Sequence, residues 1–575
     1  MAELPECDLV MKGGVTSGLV YQGAVLWLKD HYTFRSIGGT SAGAIAACLT
    51  AAAEYGRKDG VDGFARMREW TDRLGTERGL LRLLFQPTST ARPAFEALVS
   101  LATGRGTAPL RFARGLGRIL LEYWGLAAWA AVLVGAYVVA VERTEAASLG
   151  VLIASSVVLG MLAFLAVLAA ALGSAGWNLV RGLEQSGFGM CTGVRQPGFE
   201  SPALGEWLHG AIQACAGRAT GQDPLTFADL ETAGVSLRTI TTDLAYARPV
   251  DLPVREDFPI EYLFDPADLR PRVPEEIVAF LERTSPAVTV KLRGGGERVL
   301  RKLPRSRMPI MLAARLSLSF PILLSTIRLW SVHPHDQQAI EHCFSDGGIS
   351  SNFPIHLFDA WVPSRPTFGL DLQTRQSASE TNVQLVGSGR LDQPSPVRYT
   401  GVRGLAEFAK QAADAARNWH DATQAELPGF RDRVCHIRLS KEEGGLNLDM
   451  DENTIRVLMA RGTEAGEKIT ELFHWDWHRF VRYLTLMQVL QRSLSASRDG
   501  FDDFEPALSA GHLPVETGYG TGHDGPWCLQ AARATSWLIG TARSWGNDLP
   551  PARGFDQGGG VEPEPTPAMR IVPDA

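Results

Sequence analysis

The stretch HYTFRSIGGTSAGAIAACLTAAAEYG, residues 31–56, decides the expected fold. Its first part carries β-favouring residues and its last part is rich in alanine, the best helix former, so a strand is predicted to run into a helix. Between them Gly39, Ser41 and Gly43 match G-x-S-x-G, the pattern of a nucleophile elbow. A sharp turn that holds a side chain clear of the backbone favours glycines, which lack bulk and have free φ. We therefore expect Ser41 to be a nucleophile.

A glycine-rich loop, KGGVTSG at residues 12–18, lies about one βα unit before the elbow. A short buried strand is predicted before it, and the apolar spacing after it is helical. Such a loop points backbone N–H groups at an anion, and the helix N-terminus adds positive potential. The spacing differs from that of a P-loop. The alternative that Gly13 and Gly14 only make a tight turn stays open.

A second glycine motif follows an apolar strand late in the chain, in HCFSDGGISSNFP at residues 342–354. Asp346 stands at the predicted strand end, directly before Gly347 and Gly348. That position is at the carboxyl edge of the sheet, where open α/β folds keep their sites. The alternative is an ordinary turn-forming Asp-Gly pair.

A serine nucleophile needs a base, and the usual base is histidine. In α/β-hydrolases the elbow follows several strands, whereas Ser41 leaves room for about two, so that topology does not fit. His356 and His436 are candidate bases. Alternatively, an aspartate that reaches the serine hydroxyl takes the proton directly. Backbone N–H groups of Gly13 to Val15 would then stabilise the oxyanion.

Composition narrows the possible functions. The 575 residues exceed one ordinary core, and the net charge of -7 gives no reason to expect a nucleic-acid partner. Seven scattered cysteines without C-x-x-C spacing argue against a disulfide framework or a zinc site, so we expect reduced thiols. We expect no cofactor. Acidic residues near the N-terminus argue against a signal peptide.

Two uncharged stretches interrupt the first half of the chain, from Tyr123 to Val141 and from Ala146 to Val180. Each is long enough to cross a hydrocarbon core, so we predict a transmembrane hairpin with spans at about 119–141 and about 147–175. Arginines flank both outer ends, which places the rest of the chain in the cytoplasm by the positive-inside rule. The alternative is a pair of buried helices within a large soluble domain.

The glycine loop, the elbow and the D-G-G motif, in this order, resemble the patatin-like phospholipases of bacterial type. The resemblance extends to LSFP at residues 318–321 and to Asn352 and Pro354, and it covers most of residues 6–100 and 190–375. It implies an α/β fold, a three-layer sandwich with a mainly parallel central sheet. It also implies hydrolysis of glycerolipid acyl esters by a Ser–Asp dyad that needs no histidine and no metal.

The resemblance implies a role for each matched residue. Ser41 would be the nucleophile, Asp346 the base, and Gly13 and Gly14, with Val15, the donors of the oxyanion hole. The sequence departs from the family at two places in the loop. Where the family often has a third glycine and a basic residue, this chain has Val15 and Ser17.

These features divide the chain into predicted regions. They are a first catalytic part, the inserted hairpin, a second catalytic part, a mainly helical region and a disordered tail, at residues 1–100, 101–190, 191–375, 376–550 and 551–575. The expected protein is a phospholipase A-like hydrolase anchored by the hairpin in a bacterial inner membrane, with its catalytic domain in the cytoplasm and membrane phospholipid as substrate. Two alternatives stay open: an inactive scaffold with the same fold, or an esterase or thioesterase acting on other acyl groups. The sequence does not indicate the oligomeric state.

Overall fold

A computed structural model of the chain describes most of its residues. The described ranges are 4–14, 17–77, 79–102, 149–219, 221–377, 379–385, 429–440, 443–445, 447–510 and 525–548, with isolated residues between 103 and 148 and between 386 and 427. The predicted tail at 551–575 lies outside them.

The chain divides into two compact units. The first comprises residues 1–357, 370–383 and 436–467, and the second comprises 358–369, 384–435 and 468–575. The first unit contains Ser41 and Asp346. The division into five regions stays a prediction.

The strands form a mixed sheet. They are β1 Glu6–Met11, β2 Thr33–Thr40, β3 Gly189–Cys191, β4 Ser236–Asp243, β5 Arg248–Leu252, β6 Leu263–Phe264, β7 Ala287–Leu292, β8 Glu297–Lys302, β9 Ile322–Leu324, β10 Ile327–Val332, β11 Gln338–Ser345, β12 Thr367–Thr374, β13 Val383–Gln384 and β14 Val434–Leu439. The order is β10-β6-β8-β7-β11-β4-β2-β1-β12-β14-β13, with β5 beside β4, while β3 pairs with β9 apart from it.

The prediction of a mainly parallel sheet is wrong. Strand β2 pairs in parallel with β1 and with β4, but β4–β5, β7–β8, β10–β11 and β4–β11 are antiparallel. For β4–β5, β7–β8 and β10–β11 the physical reason is the short connection between the two strands. Parallel neighbours need a crossover of about a dozen residues or more, whereas β7 and β8 are joined by a tight turn in which Gly294, Gly295 and Gly296 all have positive φ.

Most of the helices among the described residues lie in the first unit. The helices are α1 Val20–Leu28, α2 Ala42–Lys58, α3 Gly63–Thr76, α4 Leu80–Leu83, α5 Arg92–Ala102, α6 Leu149–Ser186, α7 Leu204–Cys215, α8 Phe227–Thr232, α9 Pro266–Leu269, α10 Glu275–Thr284, α11 Ile310–Ser317, α12 Glu452–Leu472, α13 Trp475–Ser509 and α14 Gly525–Asp548. The molecule is therefore a mixed α/β fold with a large helical region towards the end of the chain.

Helix α2 positions the candidate site. It begins directly after Ser41 and is buried along most of its length, because its alanines let β2, α3 and α7 approach closely. Arg57 and Lys58 in its last turn complement the helix dipole, whose positive end lies at Ser41.

The predicted transmembrane hairpin is not supported. Most of its first span, at about 119–141, lies outside the described residues. Of its second span, at about 147–175, residues 149–175 lie in α6. Helix α6 does not end where that span ends but continues past Arg181 and Glu184. It stops at Gly187, whose φ of 80° suits a helix C-terminus. No helix among the described residues is long and apolar enough to cross a membrane.

The second unit is mainly helical, with α13 packed against α14. Two buried arginines and one buried histidine of this unit are paired with carboxylates. The carboxylate of Asp359 accepts hydrogen bonds from Arg433 at 2.5 Å and from Arg482 at 2.9 Å, and His478 lies 2.6 Å from Asp432. Pairing of this kind is what makes buried charge tolerable.

Candidate active site

Ser41 stands on a strained turn between β2 and α2. Its φ is 56° and its ψ is -125°, a backbone conformation that is uncommon for a residue with a side chain. Strain of this kind persists where the surrounding structure holds it, and it clusters at functional sites. The structure thus gives Ser41 the local geometry of a nucleophile elbow.

The two flanking glycines of the elbow are required by close packing. A Cβ atom at Gly39 would lie 2.3 Å from the carbonyl oxygen of Gly43, and one at Gly43 would lie 2.3 Å from that of Met11. Neither glycine has a positive φ, which falls instead on Ser41. The expectation that the glycines supply free φ is therefore wrong; they let the start of α2 touch β1 and β2.

Ser41 and Asp346 meet in the fold although 305 residues separate them. The hydroxyl of Ser41 lies 2.7 Å from Oδ2 of Asp346 and 2.9 Å from the carbonyl oxygen of Gly14. The other carboxylate oxygen of Asp346 accepts a hydrogen bond from the Gly348 N–H at 2.8 Å. That bond orients the carboxylate so that Oδ2 faces the serine and can take its proton.

Close approach also explains the glycine after Asp346. A Cβ atom at Gly347 would lie 1.9 Å from the carbonyl oxygen of Ile240, so only glycine fits between this turn and β4. The carbonyl of Asp346 accepts a hydrogen bond from the Thr242 hydroxyl at 2.9 Å. Asp346 is thereby held on β4, the strand next to the one that ends at Ser41.

One segment at the end of α11 holds both members of the pair. The hydroxyl of Ser317 accepts the backbone N–H of Ser41 at 3.0 Å and donates to the carbonyl of Ile240 at 2.6 Å. Two residues later, the carbonyl of Ser319 accepts the N–H of Asp346 at 3.0 Å. The sequence pointed to this passage by resemblance alone and did not indicate what it does.

A buried arginine anchors that segment. Arg315 is 2% exposed and donates to the hydroxyl of Ser319 and to the carbonyls of Thr192 and Ser325. These contacts are to neutral oxygens, and burial lowers the pKa of Arg315 to about 9. A cation held in this way fixes the backbone around it, because two of its bonds join this segment to the backbone at Thr192 and Ser325.

The backbone of the glycine loop near Ser41 includes both a hydrogen-bond acceptor and N–H donors. The N–H of Gly13 is bonded to the carbonyl of Asn352 at 2.7 Å, while the carbonyl of Gly14 faces the Ser41 hydroxyl. The N–H of Gly14 makes no hydrogen bond to a described residue. Val15, the third predicted donor, lies outside the described residues.

A further donor was missed by sequence reasoning. The N–H of Ala42 lies 3.4 Å from the carbonyl of Gly14, a long contact that leaves it available to a better acceptor. In nucleophile elbows, the N–H of the residue after the serine is one of the oxyanion donors. The G-x-S-x-G motif was therefore itself the signal for Ala42.

Neither candidate histidine is brought to the serine hydroxyl. His436 lies 2.7 Å from the carboxylate of Asp371 and 2.8 Å from the amide of Gln373. His356 is exposed on a 3-10 turn. The partners of the Ser41 hydroxyl are Asp346 and Gly14.

A second serine cluster lies elsewhere in the first unit. Nε2 of His342 is 2.7 Å from the hydroxyl of Ser331, and its Nδ1 is 2.7 Å from the carboxylate of Asp243, which also accepts the hydroxyl of Tyr262 at 3.1 Å. No short motif joins these residues, because they come from three strands and the segment before β6. Sequence reasoning therefore missed this cluster.

The cysteines are buried and free. All seven are unbonded, and Cys343 alone is partly exposed. Burial raises the pKa of Cys48, Cys191 and Cys215, which keeps them as thiols. Among the described residues, no group of three or more His, Cys, Asp and Glu side chains is placed to hold a metal ion.

Comparison with known proteins shows a relative that matches along the whole chain. The chain is 31% identical to the "RpoH suppressor" of Rhizobium meliloti (strain 1021), over the whole of both chains. No family model matches the sequence. Among solved structures, VipD from Legionella pneumophila is 11% identical over 96% of this chain and 89% of its own, with a TM-score of 0.29. ExoU of Pseudomonas aeruginosa, solved with SpcU, is 14% identical over 97% and 73%, with a TM-score of 0.25.

Proposed function

We propose that this chain, which belongs to the same family as the RpoH suppressor of Rhizobium meliloti, is a serine hydrolase that cleaves acyl esters of glycerophospholipids. The observation that carries the proposal is the 2.7 Å contact between the Ser41 hydroxyl and the Asp346 carboxylate at a strained elbow. The resemblance of the motifs to patatin-like phospholipases supports the same reaction.

The proposed reaction proceeds in two steps. Asp346 takes the hydroxyl proton of Ser41 as the oxygen attacks the acyl carbonyl, and the tetrahedral oxyanion is stabilised by the N–H groups of Gly14 in the glycine loop and of Ala42 at the start of α2. The C–O bond to the glycerol then breaks, and the leaving alkoxide takes the proton from Asp346. Water, deprotonated by the same carboxylate, attacks the acyl-enzyme, releases the fatty acid and restores the serine.

A narrow apolar pocket beside the elbow supports an acyl substrate. Ala42, the residue after the nucleophile, lines it together with Ile45 of α2. Leu318 and Phe320 also line the pocket; in the sequence they alternate with Ser317 and Ser319, which bond to Ser41 and Asp346. Trp207 of α7 is part of the same wall. An apolar wall rewards the burial of methylene groups at about 0.8 kcal/mol each, so an alkyl chain is the favoured occupant.

Exposed apolar side chains on α6 support contact with a lipid surface. Val157, Val158, Met161, Leu162 and Leu165 are each more than half exposed, within three turns of one helix. Such a patch is unusual on a protein surface and marks a site of interaction. Contact of this patch with a bilayer would hold the protein at the surface to which phospholipid is confined.

The experiment that tests the proposal combines a covalent probe with a substrate panel. We expect a fluorophosphonate to modify the protein at one residue, Ser41, as mapped by mass spectrometry of peptides. Phospholipid vesicles should release free fatty acid and lysophospholipid in equal amounts, without release of the headgroup. Labelling at another residue, or release of headgroup in place of fatty acid, would overturn the proposal.

The two alternatives predict different results. An inactive scaffold would bind vesicles and release no fatty acid from any ester. An esterase or thioesterase of other acyl groups would be labelled at Ser41 but would act on short soluble esters or thioesters without acting on vesicles. The apolar lining of the pocket favours an alkyl chain over a polar group.

A further inference from the structure

Lys12, the residue directly before Gly13, is held at three points. Its backbone N–H donates to the carbonyl of Leu370 at 3.1 Å, and its ammonium lies 2.6 Å from the carboxylate of Asp371. Its own carbonyl accepts a hydrogen bond from the hydroxyl of Tyr21. The start of the glycine loop is therefore fastened to β12 and to α1.

The carboxylate at the centre of this arrangement is well satisfied. Asp371 is 3% exposed and accepts further hydrogen bonds from Gln373 at 2.6 Å and from His436 at 2.7 Å. Burial by itself raises the pKa of Asp371, but the charge of Lys12 and the contact with His436 outweigh burial and hold the pKa well below its usual range. Asp371 is thus an ionised anchor for the Lys12 ammonium at neutral pH.

Tyr21 closes the loop from its other end. It lies in the first turn of α1, just after the loop, and it is fully buried. Its hydrogen bond to the Lys12 carbonyl joins the residue before the loop to the helix after it. Gly13 and Gly14 lie inside this closed segment, which limits how far their backbone groups move relative to Ser41.

We propose that Lys12, Tyr21 and Asp371 are positioning residues that clasp the glycine loop against the sheet, so that its backbone is held in register with Ser41. This inference rests on the proposed hydrolase function of Ser41. The clasp acts on the rate of the chemical step, because it orients backbone groups and does not touch the alkyl chain of the substrate.

The test uses a change that removes one bond of the clasp and little volume. In Tyr21→Phe we expect kcat and the rate of fluorophosphonate labelling to fall about tenfold with KM unchanged, which equals a loss of about 1.4 kcal/mol in the transition state. Amide exchange of the peptide that contains Gly13 and Gly14 should become faster. Lys12→Met removes the second bond and should act in the same direction.

Matched controls separate the clasp from a general loss of stability. Tyr55→Phe removes a hydroxyl that accepts a hydrogen bond from Arg218 near the C-terminal end of α2, and Arg298→Met, on β8, removes the ion pairs with Asp265 and Asp268. Both should lower stability without changing kcat, labelling or exchange at Gly13. Should Lys12→Met fail to fold, Tyr21→Phe carries the test alone.

The outcomes distinguish the clasp from the proposed function. If the wild-type protein is active, and Tyr21→Phe leaves kcat and exchange unchanged, the clasp is wrong and the hydrolase proposal stands. If the wild-type protein hydrolyses no ester and takes up no probe, the hydrolase proposal is wrong. Exchange at Gly13 and Gly14 then decides the clasp: faster exchange in Tyr21→Phe supports it, and unchanged exchange overturns it.

Discussion

The two serine clusters in the first unit differ in the side chains that surround each serine. The cluster at Ser331 has the full set of a Ser–His–Asp triad, with His342 between the serine and Asp243 at 2.7 Å on each side. The cluster at Ser41 has a carboxylate and no histidine. Judged by residue types alone, Ser331 would be the better nucleophile.

The backbone around each serine instead favours Ser41 as the nucleophile. Ser331 lies inside β10, in regular pairing with β11, and its hydroxyl points into packed side chains. Ser41 lies at the end of a strand, on a strained turn, at the start of a 17-residue helix and beside an apolar pocket. Both serines are about 2% exposed, so exposure does not separate them. What separates them is the presence of N–H donors and space for an acyl group, which oxyanion stabilisation requires.

The largest expected effect is at the nucleophiles themselves. Ser41→Ala should lower fatty-acid release by about 10⁴-fold or more and abolish fluorophosphonate labelling, because no other oxygen can form the acyl-enzyme. Ser331→Ala should leave the rate within about twofold and cost about 1 kcal/mol of unfolding free energy, measured in urea. Loss of labelling in Ser331→Ala would reverse the comparison.

Substitution of the two aspartates should have the next largest effect. Asp346→Asn should lower kcat by about 10³-fold, since an amide oxygen does not take the serine proton. Asp243→Asn keeps the shape of its site but weakens the contacts from His342 and Tyr262, so we expect a loss of about 1–3 kcal/mol in unfolding free energy with kcat within about threefold. Rates at several substrate concentrations and urea unfolding measure both. Equal losses of kcat in the two variants would contradict the distinction drawn here.

The support of the elbow should have a smaller effect. Ser317→Ala removes the oxygen that accepts the Ser41 N–H, so the turn loses one of the bonds that hold its strained backbone. We expect kcat to fall about five- to tenfold, in keeping with one hydrogen bond. Ser325→Ala, another buried serine whose hydroxyl bonds to a carbonyl, that of Cys191, is the control and should change kcat little. A similar loss in both variants would assign the effect to packing.

The sequence predicted the elbow and the aspartate because close packing around them requires glycine at particular positions. A Cβ atom would lie within 2.3 Å of a carbonyl oxygen at Gly39, Gly43 and Gly347. Each position therefore requires glycine, at a fixed spacing from Ser41 or Asp346. The contacts that support the pair leave no such pattern in the sequence. Ser317 and Ser41 are 276 residues apart, and nothing in the local sequence of either one indicates the other.

The sheet was predicted less well, and one error was avoidable. Residues 288–293 alternate between apolar and polar side chains, and three glycines follow them directly, which is the pattern of a strand that enters a hairpin turn. This hairpin makes β7 and β8 antiparallel. The antiparallel pairing of β11 with β4 is different, because it joins strands far apart in sequence and only the fold brings them together.

The smallest expected effect tests whether the two clusters are independent. Thr242 and Asp243 are neighbours on β4, and the Thr242 hydroxyl donates to the carbonyl of Asp346 at 2.9 Å. Thr242→Val leaves that carbonyl without its donor, and we expect kcat to fall about two- to threefold. If the two clusters are independent, the losses of kcat in Thr242→Val and Asp243→Asn, expressed as free energies, should add to within about 0.5 kcal/mol in the double variant. A larger departure from additivity, measured in kcat and not in unfolding free energy, would mean that the buried histidine cluster helps to set the position of Asp346.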